Sequence, residues 1–293
     1  MDKTEVAIIN GKKIKIDPET LFRLDQCILY SSKLEEFRRP FESWFAQFDL
    51  DPNEQLEPGT GVKFEELYHL LLKLKKFPQV PNEISPQAIV LRAGLTQVFS
   101  TFQLLHELNK RAASRYDITV PANEKKLYDI WKFLMPDESL QSRFTTQWQK
   151  IGFQGKDPST DFRAMGLLAL DNLYYFCDTY IEIARRILSS SHHPISWFSF
   201  AIVGINITAY LLRLVRTRQL QWTFYVYGTH KDIFNEIYCY IFDGFEKHWS
   251  SQSKPPSILD FNSHFKAFTF NFEIWLLQRQ NVFLKPRQPL IKE

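Results

Sequence analysis

The residues best placed to do chemistry lie in one stretch of the chain, which reads WQKIGFQGKDPSTDFR and runs from Trp148 to Arg163. It contains an arginine, Arg163, and two carboxylates, Asp157 and Asp161. A planar guanidinium stays protonated, so it can serve either as a structural ion-pair partner or as a cation that holds an anion. Nothing in the sequence places a nucleophile beside a general base.

Two glycines and a proline between residues 152 and 158 predict a tight turn that precedes a helix. Asp157 before Pro158 is typical of a helix N-cap followed by proline at the first helical position. An alternative start places Thr160 at the cap and Asp161 in the first turn, where a carboxylate suits the positive helix end.

The predicted helix carries one continuous buried stripe, because apolar residues recur at steps of three and four. The members of this stripe are Leu167, Leu170, Tyr174, Cys177, Ile181, Ala184 and Leu188. Arg163 falls on the same stripe, one turn before Leu167. An arginine aligned with a core face is expected to be either a structural ion-pair partner or a cation held at the mouth of a groove. Asp157 and Asp161 do not face it at helical spacing, so its partner is expected from elsewhere.

The same stretch resembles the signature of the ELMO-domain family. The matching residues are Trp148-x3-Gly152-Phe153-Gln154-Gly155-x-Asp157-Pro158-x-Thr160-Asp161-Phe162-Arg163-x2-Gly166-x-Leu168. His193-Pro194 and the run FAIVGINIT at 200–208 resemble the second half of that domain. The resemblance covers the C-terminal part of the chain.

This resemblance implies an all-helical domain that acts on small GTPases of the Arf/Arl or Rac type. In ELMOD-type members, the arginine that matches Arg163 is the one required for GTPase-activating activity. The engulfment-type scaffolds lack that arginine and partner a DOCK-like exchange factor. This chain keeps the arginine, but it carries Ala164 and Ala169 where ELMOD-type members often have glycine, and its run LALDN at 168–172 resembles the scaffold branch.

Activation of an Arf- or Arl-like GTPase in trans is therefore the leading hypothesis, and a non-enzymatic adaptor in Rac and actin signalling is the alternative. In the first, Arg163 is the catalytic donor, and Gln154, Asp157 and Asp161 position it. The aromatic residues expected to fix the turn by packing or to contact the partner are Trp148, Phe153 and Phe162. GTP and Mg²⁺ would belong to the partner, so no cofactor is expected in this chain. The expected location is cytoplasmic, with at most peripheral membrane contact.

The composition is typical of a well-packed globular protein, with 44% hydrophobic and 15% aromatic residues. The net charge of +3 is too small to indicate a nucleic-acid partner. We predict an all-α fold in which a helical N-terminal region, residues 1–117, precedes an ELMO-like domain, residues 118–284. A short β-hairpin around Asn10-Gly11 is expected at the start of the chain.

Several helices are predicted outside the central stretch. Residues 139–151 are expected to form one helix, and residues 230–249 another, with one apolar face. The members of that face are Phe234, Ile237, Tyr238, Ile241 and Phe245. The run from Trp197 to Val215 is apolar and long enough to raise the question of a membrane span. Asn206, Thr208 and Arg213 interrupt it, so a buried core helix is predicted.

Metal sites are not expected. His192 and His193 precede a proline without a Cys, Asp or Glu at ligand spacing, so a loop pair that titrates near neutral pH is favoured. The three cysteines, Cys27, Cys177 and Cys239, are scattered and odd in number, which predicts free thiols.

The acidic stretch from Asp49 to Gly61 partly matches a calcium-binding loop. Asp49, Asp51 and Asn53 occupy the first, third and fifth positions, but Glu54 replaces the glycine needed at the sixth. The loop is also too long for that geometry. A solvated turn between two helices is therefore expected in preference to a calcium site.

Overall fold

The computed structural model describes residues 7–9, 12–14, 16–30, 68, 69, 72 and 86–290. Within these ranges the chain is helical apart from one pair of three-residue strands, so the all-α class predicted from the sequence is confirmed. The chain divides into two compact units: the first contains residues 1–106, 221–229 and 288–293, and the second contains residues 107–220 and 230–287. The acidic loop at 49–61 lies outside the described residues, and its lack of calcium affinity stays a prediction.

The strands are β1 (Ala7–Ile9) and β2 (Lys12–Ile14), which pair antiparallel with Ala7 opposite Ile14. Asn10 and Gly11 lie outside the described ranges, so the type of turn between the strands stays a prediction. The α-helices are α1 (Pro18–Tyr30), α2 (Pro86–Ala113), α3 (Pro121–Leu134), α4 (Gly166–Thr179), α5 (Ile181–Ser191), α6 (Phe200–Arg216), α7 (Gln221–Tyr227), α8 (Lys231–Ser250) and α9 (Phe261–Leu277). Within the described ranges, three segments are 3₁₀-helical: Thr146–Ile151, Pro158–Ala164 and Ile258–Asp260.

The first unit has a small apolar core built from α1, the first part of α2, and α7. Its buried members include Ile16, Leu21, Leu95, Val98, Phe102 and Tyr225. The hydroxyl of Tyr225 donates a hydrogen bond of 2.9 Å to Oδ2 of Asp25, which is fully buried. A buried carboxylate in α1 is thus satisfied by a group from α7, as burial requires.

Helix α2 is long and apolar enough over Ala88–Ala113 to cross a membrane by length and composition, and half of its most apolar window is buried within the structure. Helices in a protein core share this property with membrane-spanning helices, because both kinds of helix need long apolar runs. The run from Trp197 to Val215, for which a buried helix was predicted, contains most of α6. Twelve residues of α6 are buried, so that prediction is confirmed.

The centre of the second unit is formed by α4, α6 and α8, which pack on one another. The ring of Phe242 lies 5.1 Å from the ring of Phe176 and 4.9 Å from that of Phe200, so each of the three helices contributes one ring to a common cluster. At Gly204 a Cβ would lie 2.6 Å from both Leu173 Cδ2 and the Tyr238 hydroxyl, so a larger residue would force these side chains to move. The residues predicted to share one face of α8 are all buried: Phe234, Ile237, Tyr238, Ile241 and Phe245.

Two helices predicted from the sequence differ from those observed. Residues 139–151 contain only the 3₁₀ segment Thr146–Ile151, because side chains there bond to the backbone and compete with an α-helix. For example, Trp148 Nε1 donates to the carbonyl of Arg143 at 2.9 Å. The single helix predicted as far as Leu188 is divided at Tyr180, whose φ of −125° and ψ of 45° end α4. The hydroxyl of Tyr180 donates to the buried carboxylate of Glu236 on α8, which fixes the break.

A buried carboxylate gathers three cations around α4. Asp171 is 7% exposed and accepts hydrogen bonds from Arg111 Nε at 2.7 Å, Lys126 Nζ at 2.5 Å and Lys231 Nζ at 3.1 Å. Burial alone would raise the pKa of Asp171, but these donors hold it well below its usual range. Because the cations come from α2, α3 and α8, the carboxylate ties three helices to α4.

We predict that Asp171→Asn lowers the free energy of unfolding by about 3 kcal/mol, because three cations then lose their shared counter-charge. Chemical denaturation followed by circular dichroism would measure the change. The exposed Asp178 on the same helix is a matched control, and Asp178→Asn should change stability by less than about 0.5 kcal/mol.

The stabilisation by Asp171 also has an expected pH dependence. Because its folded-state pKa is lowered from 3.8, the contribution is present above that value and is lost only as the pH falls further. The stability gap between Asp171→Asn and the unaltered protein should therefore close only in strongly acidic solution. A variant as stable as the unaltered protein at neutral pH would contradict this account.

Candidate functional site

The glycine turn, defined as residues 152–157, lies directly on the start of α6. Gly152 has a φ of 85°, in the left-handed region that favours glycine. A Cβ at Gly152 would lie 2.3 Å from the amide nitrogen of Phe200 and 2.7 Å from that of Ala201. No side chain fits between these two stretches of backbone, so the glycine is required for both conformation and space.

An aromatic column runs beneath the glycine turn and consists of Trp131, Trp148, Phe153, Phe162 and Tyr116. The ring centroids of Trp131 and Trp148 are 5.6 Å apart, and those of Trp148 and Phe153 are 6.0 Å apart. Phe153 meets Phe162 edge-on at 5.6 Å, and Phe162 stacks on Tyr116 at 5.6 Å. Three members of the column were predicted as site residues, and all are buried: Trp148 is 0%, Phe153 is 3% and Phe162 is 1% exposed. They therefore act by fixing the turn and offer no surface to a partner.

The segment Pro158–Ala164, here called the Arg163 segment, is capped by Asp157. Its Oδ1 accepts from the backbone N–H of Ser159 at 3.0 Å, and its Oδ2 accepts from the Ser159 hydroxyl at 2.7 Å. Burial alone would raise the pKa of Asp157, but the Ser159 hydrogen bonds and the charge of Arg143 lower it. The predicted cap at Asp157 is confirmed, although the segment that it caps is a 3₁₀-helix rather than the start of α4.

Asp161 connects the Arg163 segment back to the glycine turn. Its Oδ2 accepts from the backbone N–H of Gln154 at 2.9 Å. Burial raises the pKa of Asp161, and the Gln154 N–H and the nearby charge of Arg163 oppose that rise. The side chain of Gln154 is exposed, so Gln154 contributes to the turn through its backbone.

Arg163 does not lie on the buried stripe of α4, and the sequence prediction was wrong on this point. It precedes the helix, which starts at Gly166 with a φ of 49°, and its side chain is exposed. A Cβ at Gly166 would lie 2.3 Å from the carbonyl oxygen of Ser114, so the backbone must turn sharply there. This turn takes Arg163 out of register with the helix. Its Nε donates to the carbonyl of Thr160 at 2.7 Å, and it forms no ion pair with any residue that the structure describes.

A second arginine of the site, Arg143, is largely enclosed and was not predicted from the sequence. Its side chain is 11% exposed, and its Nε lies 2.7 Å from Oε2 of Glu124 on α3. Its Nη2 lies 3.1 Å from Oδ1 of Asp157. No pattern in the sequence indicates its role, because residues 139–151 were predicted to form a helix and neither Glu124 nor Asp157 lies at helical spacing from it.

The two adjacent histidines close the loop between α5 and α6. The Nε2 of His192 lies 2.7 Å from the carbonyl oxygen of Lys150, beside the glycine turn. The Nδ1 of His193 accepts from the backbone N–H of Ile195 at 3.2 Å and of Ser196 at 3.0 Å. Both rings therefore have structural roles in a loop that borders the site.

Among the described residues, His, Cys, Asp and Glu do not gather in any group of three that could hold a metal ion. The cysteines are free thiols, of which Cys177 and Cys239 are buried and Cys27 is exposed.

Comparison with known proteins identifies the domain that contains this site. Residues 106–265 match the model of the ELMO/CED-12 family. This range includes the glycine turn, the Arg163 segment and the whole aromatic column. The chain belongs to the ELMO/CED-12 family. The resemblance predicted from the sequence is thereby confirmed, and the matched range is here called the ELMO domain.

The relatives with this ELMO domain cover most of the chain. ELMO domain-containing protein 2 of Mus musculus is 37% identical over 220 residues, which span 74% of this chain and 75% of the relative. ELMO domain-containing protein 1 of Bos taurus is 37% identical over 228 residues, spanning 71% and 70%. ELMO domain-containing protein B of Dictyostelium discoideum is 33% identical over 253 residues, spanning 85% and 82%.

We predict that Gly152→Ala destabilises the ELMO domain by about 1–2 kcal/mol from the left-handed conformation alone, and further through overlap with the α6 backbone. Gly155 is the matched control, because a Cβ there meets nothing within 4 Å and its φ is not positive. Gly155→Ala should be neutral or stabilising by up to about 1 kcal/mol. Thermal melts of the two variants would compare them, and equal losses would show that the glycine turn does not require Gly152.

We predict that Phe162→Ala lowers the free energy of unfolding by about 3–5 kcal/mol, because it removes a buried ring and leaves a cavity. Phe162 is 1% exposed and lies between Tyr116 and Phe153. Urea denaturation would measure the loss. An unchanged midpoint would mean that the ring does not support the Arg163 segment.

Proposed function

We propose that this chain is a GTPase-activating protein for a small GTPase of the Arf/Arl type, and that Arg163 acts in trans on the bound nucleotide. GTP and Mg²⁺ belong to the partner in this proposal, and the chain itself binds neither. It acts in the cytoplasm, with at most peripheral contact with a membrane.

The observation that carries the proposal is the contrast between Arg163 and its surroundings. Its side chain is exposed, and within the described residues it has one hydrogen bond, to the backbone carbonyl of Thr160, and no ion pair. The segment beneath it is braced by the aromatic column and by Asp157 and Asp161. The Arg163 segment is held in place, while the Nη groups of Arg163 have no acceptor among the described residues. Such a cation is suited to bind an anion that a partner brings.

The chemistry follows from the shape of the guanidinium. Nε bonds to Thr160, which leaves the N–H groups of both Nη atoms for oxygen atoms of a phosphate. The transition state of phosphoryl transfer spreads charge over the γ-phosphate oxygens, and a positioned arginine stabilises that charge. Because the Arg163 segment is held before the partner arrives, little reorganisation is needed at the moment of reaction.

Family membership supports the same function. The chain belongs to the ELMO/CED-12 family, and its relatives include ELMO domain-containing proteins 1 and 2. Its stretch from Trp148 to Leu168 resembles the signature of the ELMO-domain family, and it keeps the arginine of the ELMOD-type members at Arg163. That combination implies activation of Arf-family GTPases, and the arginine is the residue that this activity requires.

An adaptor that assembles with a DOCK-like exchange factor is the second candidate, and one observation favours it. Large apolar side chains are exposed near the end of the ELMO domain and just beyond it, where Leu259 is 90%, Phe270 is 65% and Leu277 is 83% exposed. Exposed apolar groups of this kind are typical of protein interfaces. In this reading Arg163 has no catalytic role.

We predict that Arg163→Lys abolishes most of the stimulation of GTP hydrolysis while the protein still folds and binds its GTP-loaded partner. Lysine keeps the charge but loses the two-pronged donor geometry that phosphate oxygens need. Arginine fingers contribute on the order of 10³–10⁵ in rate, so even a partial contribution is measurable. The assay is phosphate release from a panel of GTP-loaded small GTPases.

Arg213→Lys is the matched control, because Arg213 is a half-exposed arginine of α6 that pairs with Glu273 on α9. It should stimulate hydrolysis as well as the unaltered protein does, and thermal melts should show both variants folded. Equal stimulation by Arg163→Lys would disprove the assigned mechanism. Lack of stimulation by the unaltered protein with every GTPase would favour the adaptor.

A further inference from the structure

Arg143 is held firmly on the side that faces α3. Its Nε donates to Oε2 of Glu124 at 2.7 Å and to Oε1 at 3.0 Å. The hydroxyl of Tyr116 donates to the same carboxylate, and the guanidinium carbon lies 5.8 Å from the centre of the Tyr116 ring. The ring of Phe144 lies 5.2 Å away. A carboxylate and two aromatic rings thus fix the plane of the guanidinium.

On its other side, Arg143 reaches the start of the Arg163 segment. Its Nη2 lies 3.1 Å from Oδ1 of Asp157, the residue that caps the segment through Ser159. The backbone adds a second link two residues along, since the N–H of Thr145 donates to the carbonyl of Lys156 at 3.1 Å. The carbonyl of Arg143 also accepts from Nε1 of Trp148 in the aromatic column. Arg143 therefore contacts the support of the segment through both its side chain and its backbone.

The contact with Asp157 is an ion pair without the alignment of a hydrogen bond. Nη1 and Nη2 are both buried, and neither makes a hydrogen bond within the described part of the chain. Buried N–H groups without acceptors destabilise the folded state. The nearby carboxylate of Asp157 offsets part of this cost through its charge. Among the described residues, Asp157 is the carboxylate within ion-pair distance of this edge.

We infer that Arg143 is the positioning residue for Arg163: by joining Glu124 on α3 to the cap residue Asp157, it sets where the Arg163 segment starts. This inference rests on the proposed function, in which Arg163 must meet a phosphate. The planar fork of an arginine presents Nε to Glu124 and Nη2 to Asp157 from separate edges, whereas a lysine presents a single ammonium group in their place. In this inference Arg143 acts through the Arg163 segment and not by contact with the nucleotide.

The test compares Arg143→Lys with Arg186→Lys. Arg186 is an arginine of α5 that also pairs with two carboxylates, Asp243 and Glu246 on α8, and among the described residues it forms no ion pair with the glycine turn or the Arg163 segment. Both variants lose a two-carboxylate bridge, so both should lower the melting temperature. Only Arg143→Lys should alter the chemistry at Arg163.

In the kinetic arm, Arg143→Lys should reduce the maximal rate of stimulated GTP hydrolysis by about 10–100-fold, because a displacement near 1 Å costs this much. The concentration that gives half-maximal stimulation should change by less than about twofold, because binding surfaces elsewhere are intact. Arg186→Lys should keep the maximal rate. Asp157→Asn should reproduce the effect of Arg143→Lys, and the double variant should add little, because the two residues act as one unit.

A second arm, hydrogen exchange with mass spectrometry, is independent of any GTPase. Peptides covering residues 154–165 should exchange faster in Arg143→Lys than in Arg186→Lys, while peptides from α8 should show the reverse order. If no GTPase is stimulated by the unaltered protein, the proposed function fails, and this arm still decides whether Arg143 holds the segment. Unchanged exchange at 154–165, or a maximal rate lowered equally by Arg186→Lys, would overturn the inference.

Discussion

Everything at the site depends on the packing of five aromatic rings in the aromatic column. Phe153 belongs to the glycine turn and Phe162 to the Arg163 segment that follows it, and the centroids of their rings lie 5.6 Å apart. Trp148 and Tyr116 extend the column on either side, so both ends of the turn are anchored to buried surface. Fully buried aromatic rings are among the strongest contributions to packing, and aromatic pairs favour defined angles. The column therefore determines both the existence and the orientation of the turn.

Polar contacts complete what the column begins. A capped 3₁₀ segment of seven residues is too short to be stable by itself, since helices gain most of their stability from tertiary contacts. Asp157 accepts from the backbone N–H of Ser159 in the Arg163 segment, and Asp161 accepts from the backbone N–H of Gln154 in the glycine turn. Both carboxylates are partly shielded from water. The pKa of Asp157 is lowered despite burial, because two donor groups of Ser159 and the cation of Arg143 lie beside it. The pKa of Asp161 is raised, because the effect of burial dominates there.

The two arginines of the site illustrate how one residue type serves two purposes. Arg143 is 11% exposed and lies between two carboxylates, so its charge is neutralised within the protein. Arg163 is exposed, and within the described residues its side chain bonds only to the backbone carbonyl of Thr160, so its charge is available to a partner. A buried ion pair contributes geometry more than stability, because desolvation offsets most of the attraction. Arg143 thus helps to hold the Arg163 segment in place, while Arg163 stays accessible to a partner.

The sequence by itself determined the all-α class, the family, the N-cap at Asp157 and the buried face of α8. These depend on local signals: helical periodicity, a capping residue before proline, and a dense motif. It did not determine that Arg163 is exposed, because helical spacing placed Arg163 on the stripe of α4, whereas the sharp turn at Gly166 is imposed by the close approach of Ser114. It also did not reveal Arg143, whose partners Glu124 and Asp157 come from α3 and the glycine turn. Only the tertiary structure brings such distant groups together, because burial makes a charge seek its partner in space and leaves no regular spacing along the chain.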